Sequence, residues 1–189
     1  MYVCGMERFD ENMERVMRVW RYAAPCGELV LGAYGDRLCM CDWATDGVAR
    51  GVVMSRLTHG LGAVLSEERV PVLEMAARQL DEYFAGEREE FSVPLLPVGT
   101  DFQQRVWREL MNVPYGCTVP YRYIAKVIGQ PQAVRAVAGA IGANGLSLFI
   151  PCHRVVGSDG SLTGYAGGLE AKQYLLNLER RCRKVLGLG

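Results

Sequence analysis

The 189 residues hold two histidines, no apolar run of bilayer length and no net charge, and each shortage excludes something. A membrane-spanning helix needs roughly 20 consecutive apolar residues, so none is predicted. Glu7, Arg8, Asp10, Glu11, Glu14 and Arg15 break any signal-peptide pattern at the N-terminus. The expected location is the cytoplasm, with nucleoid association if the source is bacterial. Closely paired cysteines are also scarce. Cys39 and Cys41 form a C-x-C that alternates with Leu38, Met40 and Trp43 in a strand-like stretch. A tetrahedral zinc site uses paired ligands at tight spacing, and no second pair accompanies the lone His59 and His153, so no metal and no cofactor are expected. The seven cysteines are odd in number and irregularly spaced, which favours reduced thiols over a disulfide framework.

The balanced charge conceals a polarity along the chain. Residues 1–97 carry 10 basic and 16 acidic side chains, residues 98–189 carry 11 basic and 5 acidic ones. Such asymmetry points the C-terminal half toward an anionic partner. Half the residues are hydrophobic and 22% are charged, the composition of a globular protein with a real core.

Two domains are expected, 1–97 and 98–189. Residues 1–24 read as a helical lead-in, with Met13, Val16, Met17 and Trp20 at helical spacing. Leu29–Tyr34 and Leu38–Trp43 read as strands joined through Gly35-Asp36, and Val52–Leu57 as a third strand. Pro71 opens a helix with Leu73, Ala76, Ala77, Leu80 and Phe84 on one face, stopped by Gly86. The stretch 91–99, with Pro94, Pro97 and Gly99, reads as a linker. This half is a small α/β unit whose aromatics and methionines are packing residues, with nothing catalytic in it.

Thr100 and Gln103 have capping-box spacing, followed by the stripe Phe102, Val106, Leu110 and Val113. Pro114-Tyr115-Gly116 stops that helix. A second helix runs from about Tyr121 to Ile128, Gly129-Gln130-Pro131 turns the chain, and a third follows over 133–143. This spacing predicts a helix-turn-helix. The third helix is built almost wholly of small residues, with Arg135 its one long polar side chain. Base reading in the major groove takes several long polar side chains, so this helix is suited to close backbone approach rather than to sequence discrimination. Asn144-Gly145 reads as its left-handed cap, and 146–150 as a buried strand leading into Pro151-Cys152-His153-Arg154-Val155. A glycine-rich loop, 164–168, precedes a last helix over about 169–183.

Cysteine followed by histidine and arginine sits in an electropositive setting that lowers a thiol pKa, and the thiolate is the nucleophile. Neighbouring residues of a strand face opposite ways, so contact between Cys152 and His153 is better made through a water, with Glu179 the most plausible carboxylate nearby in sequence to hold the imidazole.

From Gly99 to about Glu179 the chain resembles the 6-O-alkylguanine-DNA alkyltransferases, the methylated-DNA–protein-cysteine methyltransferase family. The resemblance rests on Thr100-Asp101-Phe102-Gln103, Val106-Trp107, Val113-Pro114-Tyr115-Gly116, Tyr121, Arg135-Ala136-Val137, Asn144, the run 150–156, Gly164-Tyr165-Ala166-Gly167-Gly168, Lys172 and Leu175-Leu176-Asn177-Leu178-Glu179. It implies an α/β (α+β) fold: a ribonuclease-H-like N-terminal domain followed by a helical, winged helix-turn-helix-like catalytic domain. Residues 25–97 are similar to the former, with weaker motifs. The implied activity is direct-reversal repair of 6-O-alkylguanine, and of 4-O-alkylthymine, in double-stranded DNA. The alkyl group passes irreversibly to Cys152, one turnover per molecule, after base flipping, and the protein is expected to act as a monomer.

The resemblance also implies roles for single residues. His153 would be the base, through a water, and Glu179 would orient it. Tyr121 would donate to the flipped guanine and crowd its phosphate. Arg135 would fill the vacated stack, with Val134 and Ala136 beside it against the minor groove. Asn144 would brace the turn before the active site. The backbone carbonyls of Cys152 and Val155 would accept from the guanine amino group, while Tyr165 and the Ala166 N–H close over its oxygen. Departures from the family pattern are Gly145, where proline is common, and Ala166, where some members have serine. The competing expectation is a non-catalytic lesion binder that flags alkylated bases. Cys152 argues against it, as the small-residue helix argues against a sequence-reading regulator.

Overall fold

The computed structural model describes residues 15–44 and 48–185. Four strands form the N-terminal sheet: β1 (Val16–Ala24), β2 (Gly27–Tyr34), β3 (Arg37–Trp43) and β4 (Val64–Glu67), in the order β3-β2-β1-β4. β1 and β3 run antiparallel to β2, and β4 runs parallel to β1. Gly35 turns β2 into β3 with φ 60°, a left-handed conformation glycine adopts without strain.

Two expectations are corrected here. Val16–Ala24 is a strand rather than part of a helical lead-in, because it lies between two hydrogen-bonded neighbours; residues 1–14 lie outside the described residues. Val52–Leu57 is not a strand but the middle of α1 (Val48–Leu61). Val53 and Leu57, one helical turn apart, pack onto Met17, Val30, Cys39 and Met40 on one face of the sheet. α2 (Pro71–Ala85) covers the other face. Pro71 fixes its first turn, and Gly86, at φ 77°, ends it with N–H bonds back to Glu82 and Tyr83.

The stretch read as a linker is held to the sheet. Leu38 donates to the Pro94 carbonyl at 2.8 Å and accepts from Leu96 N at 2.8 Å, so 94–96 runs along the outer edge of β3. Farther along the same edge, Cys41 N donates to Gly145 O and Ser147 N to Cys41 O, at 2.8 and 2.7 Å. One strand edge of the N-terminal half thus anchors the turn that precedes Cys152.

α3 (Asp101–Met111) begins with the expected reciprocal capping box between Thr100 and Gln103. Its Trp107 indole donates to Ala140 O at 2.8 Å, tying it to α5 (Val134–Gly142). α4 (Tyr121–Val127) and α5 are joined through Gly129, at φ 74°, as the helix-turn-helix spacing predicts. A two-residue parallel ladder pairs β5 (Val119–Pro120) with β6 (Val155–Val156), and α6 (Gly168–Val185) closes the domain. No helix among the described residues is long and apolar enough to cross a membrane.

Candidate active site

Cys152, His153 and Arg154 form a single 3-10 turn rather than a strand, and all three side chains are buried. The approach to it also differs from expectation. Residues 146–150 form a tight turn closed by a Ser147–Ile150 bridge, with Leu148 at φ 69°. The left-handed cap expected at Asn144-Gly145 is absent, since α5 ends at Ala143 with φ −82°. Asn144 ties the turn through its side chain instead: Nδ2 donates to Ile150 O at 2.9 Å, and Oδ1 accepts from Leu146 N at 3.0 Å.

Beneath the turn, Glu179 of α6 is fully buried and collects hydrogen bonds from four residues. His153 Nε2 lies 2.8 Å from Oε1. Arg154 contacts both oxygens, with Nη2 3.0 Å from Oε1 and Nε 3.1 Å from Oε2. Gly116 N donates to Oε2 at 2.9 Å, and the Tyr83 hydroxyl donates to Oε1 at 2.8 Å. Burial alone pushes the Glu179 carboxyl up, but the His153 bond and the Arg154 guanidinium outweigh it and hold the carboxyl down at about 2. The ionised carboxylate requires the proton of the neutral imidazole on Nε2, which leaves Nδ1 as the acceptor. Burial also lowers the His153 pKa, against the pull of Glu179. Nδ1 is buried and meets no protein donor or acceptor among the described residues.

The Cys152 thiol is pushed up by burial, although the Asn144 side chain and the Lys172 charge pull it down. This corrects the reading of a lowered thiol pKa. Arg154, the cation beside it in sequence, is spent on Glu179 and on Val113 O, which accepts from Nη1 at 2.7 Å. At neutral pH the resting pair is therefore a thiol and a neutral imidazole.

Lys172 is the second buried cation. Its Nζ donates to Val155 O at 2.6 Å and to Thr163 O at 3.1 Å, strapping the turn to the start of the glycine-rich loop. Thr163 Oγ1 in turn donates to the Tyr121 hydroxyl at 3.0 Å. Tyr165 is half-buried, edge-on to both Trp43 and His153, and Ala166 is exposed. Trp43 reaches this loop from the N-terminal sheet: a Cβ built on Gly167 would lie 2.4 Å from its indole, so only glycine fits there.

Of the expected DNA-facing residues, Arg135 and Ala136 are exposed, while Val134 is half-buried and packs against the core. α5 buries Val137, Ala140 and Ile141 and exposes Gly139 and Gly142, where an added Cβ would meet open space. Its outer surface is the backbone at these two glycines and the Ala136 methyl, flanked by Arg135. Sequence reasoning brought Cys152, His153, Glu179 and Asn144 to one place. It overlooked Tyr83 and Trp43, which come from the other half, cast Arg154 as a charge acting on the thiol rather than as the partner of Glu179, and gave no role to Lys172. A signal for Lys172 existed: it lies seven residues before Glu179 on the buried stripe of α6, where Leu175 and Leu176 are the apolar neighbours. Charged residues on an apolar stripe mark a paired, buried network.

Comparison with known proteins places both halves in one setting. Residues 101–181 match the family model described as 6-O-methylguanine DNA methyltransferase, DNA binding domain, and residues 17–97 match its ribonuclease-like domain. The constitutive methylated-DNA–protein-cysteine methyltransferase of Bacillus subtilis is 44% identical over 162 residues, covering 82% of this chain and 91% of that one. A Methanosarcina barkeri protein of the same name is 56% identical over 104 residues, covering 55% of this chain and 66% of that one. The crystal structure of Mycobacterium tuberculosis OGT in complex with DNA superposes with a TM-score of 0.73 at 41% identity, covering 88% of this chain and 94% of that one.

Proposed function

The chain belongs to the 6-O-methylguanine DNA methyltransferase family, and from that premise we propose that it repairs DNA by moving the alkyl group of a 6-O-alkylguanine onto its own Cys152. The observation that carries this reading is the Cys152–His153–Glu179 arrangement, in which the ionised Glu179 leaves His153 Nδ1 free to act as a base beside a buried thiol. DNA is the partner, met by the C-terminal half. The lesion lies inside the base stack, so the nucleotide must be turned out to reach a buried sulfur. Arg135 fills the space it leaves, with Ala136 alongside and Val134 supporting α5 from the core side. The glycine-lined face of α5 lets backbone approach the minor groove without demanding a sequence.

In the transfer step Cys152 gives its proton, through a water, to His153 Nδ1. Sγ forms a bond to the alkyl carbon while the carbon–oxygen bond breaks, and its electron pair leaves with the guanine. Tyr121 donates a proton to that leaving group and is reprotonated through water by the proton that His153 took from the thiol, so that thiol and alkylguanine become thioether and guanine. Carbonyls of Cys152 and Val155 hold the guanine amino group. Val155 O already serves Lys172, and a carbonyl oxygen has a second lone pair to offer. The Tyr165–Ala166 loop closes over the guanine oxygen with a backbone N–H, and Asn144 keeps the turn in register. A thioether has no reductive route back to thiol, so each molecule acts once. The same chemistry extends to 4-O-alkylthymine, by a monomer acting in the cytoplasm.

The test is to mix the protein with duplex oligonucleotide carrying 6-O-methylguanine and map the modified peptide by mass spectrometry. One methyl group per protein, on Cys152, is the expected result. Binding without transfer would make the protein a lesion flag, and repeated turnover would rule out self-alkylation as the end point.

A further inference from the structure

The N-terminal half reaches the Glu179 carboxylate through the Tyr83 hydroxyl. We infer that the Tyr83 hydroxyl is a positioning group for alkyl transfer, acting across the domain boundary by fixing the Glu179 carboxylate and so setting the basicity of His153. Tyr83 lies at the C-terminal end of α2, fully buried, with its ring against Phe84, Phe91 and Tyr115. Its hydroxyl donates to Oε1, the oxygen that His153 Nε2 also contacts, each at 2.8 Å. Arg154 Nη2 reaches the same oxygen at 3.0 Å, and donors that share one oxygen compete for its electron density. While Tyr83 holds its share, Glu179 pulls less strongly on the imidazole proton, and His153 remains neutral to lower pH. Burial and the Glu179 charge push the Tyr83 phenol well up, so it stays a donor throughout the working range.

The other groups facing this cluster do not substitute for the hydroxyl. Arg154, on the same turn as His153, neutralises Glu179 but opposes protonation of the imidazole, as does Lys172 from α6. From the loop after α3, Gly116 N binds the far oxygen, Oε2. Tyr115 presents its ring to the Arg154 guanidinium, 5.5 Å from the centroid. Among the described residues of the N-terminal half, Tyr83 is thus the one whose side chain hydrogen-bonds to the carboxylate.

The inference rests on His153 being the base. Tyr83→Phe removes the oxygen and keeps the ring packing. Its expected effect is an acid limb of the rate–pH profile displaced to higher pH, so that transfer below that limb is roughly two- to ten-fold slower than in the unmodified protein, the equivalent of one hydrogen bond. At higher pH the two rates converge. The displacement is the same with duplex and with free alkylated base, because it arises behind the sulfur. Nitrogen-15 NMR gives a second measurement: the chain has two histidines, so a His59→Gln background leaves only His153, whose titration should move up in Tyr83→Phe. An unmoved titration and a limb lowered in parallel at every pH would make Tyr83 a purely structural residue and overturn the inference. A third variant, His153→Asn, separates the two ideas. If it retains the acid limb, the base reading itself fails; if it loses the limb while Tyr83→Phe leaves it in place, only the Tyr83 inference fails.

Discussion

Glu179 sits fully buried under hydrogen bonds from Tyr83, Gly116, His153 and Arg154, and its removal would strand Arg154 as an uncompensated interior charge. Breaking one side of such a pair costs about 3–5 kcal/mol, so Glu179→Gln should lower stability by that amount in urea titrations at pH 7. The sign with pH follows from the depressed carboxyl. Its folded pKa of about 2 lies below the ordinary value of about 4.3. The contribution is therefore complete above the ordinary value and is lost as pH falls toward about 2. Urea titrations at stepwise lower pH should show the unmodified protein losing stability through that window and Glu179→Gln losing much less. The reaction has its own pH signature. With the thiol raised and the imidazole lowered, a thiol–imidazole pair should react at a nearly constant rate across neutral pH and slow only as His153 protonates. A rate climbing about tenfold per pH unit up to the thiol pKa would mean that the thiolate forms without His153.

At the scale of elements, α5 offers a test that separates packing from contact. Gly139 is exposed in mid-helix with open space beyond it. Gly139→Ala should stabilise the free protein by about 0.5–1 kcal/mol in thermal melts, the helix-propensity gain. Gly139→Leu should fold equally well yet weaken binding to duplex DNA in fluorescence anisotropy, since the side chain holds the backbone off the groove. If Gly139→Leu binds as tightly as the unmodified chain, α5 does not lie against DNA. Arg135→Ala should slow repair of duplex far more than reaction with free alkylated base. Legibility in the sequence divides along similar lines. The α3 cap and the small-residue face of α5 were readable because each depends on residues within a few positions of one another. β1 was not, because Val16, Met17 and Trp20 satisfy helical spacing, and what makes it a strand is its pairing with β2 across the Pro25-Cys26 turn and with the distant β4. α1 was misread for a related reason: Val52 and Val53 are β-branched, while the sheet face that holds Val53 and Leu57 is contributed by residues 17–40. In the site, Cys152, His153 and Glu179 were legible by chemical type. Tyr83 was not, since its ring follows the buried periodicity of α2 and its hydroxyl leaves no trace in that pattern.

Across the whole molecule the two halves share one buried core. It runs from Leu29, Leu31 and Trp43 of the sheet through Tyr83 of α2 to Trp107, Ile141, Cys152 and Leu175. Burial without a seam predicts a single cooperative transition. Calorimetry and near-ultraviolet circular dichroism should give coincident midpoints and matching calorimetric and van't Hoff enthalpies; two resolved transitions would mean that the halves fold separately. The closeness of Trp43 to Gly167 and of Tyr83 to Glu179 has a consequence for descent as well. A β-branched residue at 167, or a smaller one at 43, alters the reactive loop from outside the domain that contains the cysteine. The two segments must therefore be inherited as one unit. Grafting the N-terminal half of a relative that differs at position 43 or 83 onto this C-terminal half would bring in a compatible fold and a mismatched active site, so lineages of this protein should change these two contacts in concert.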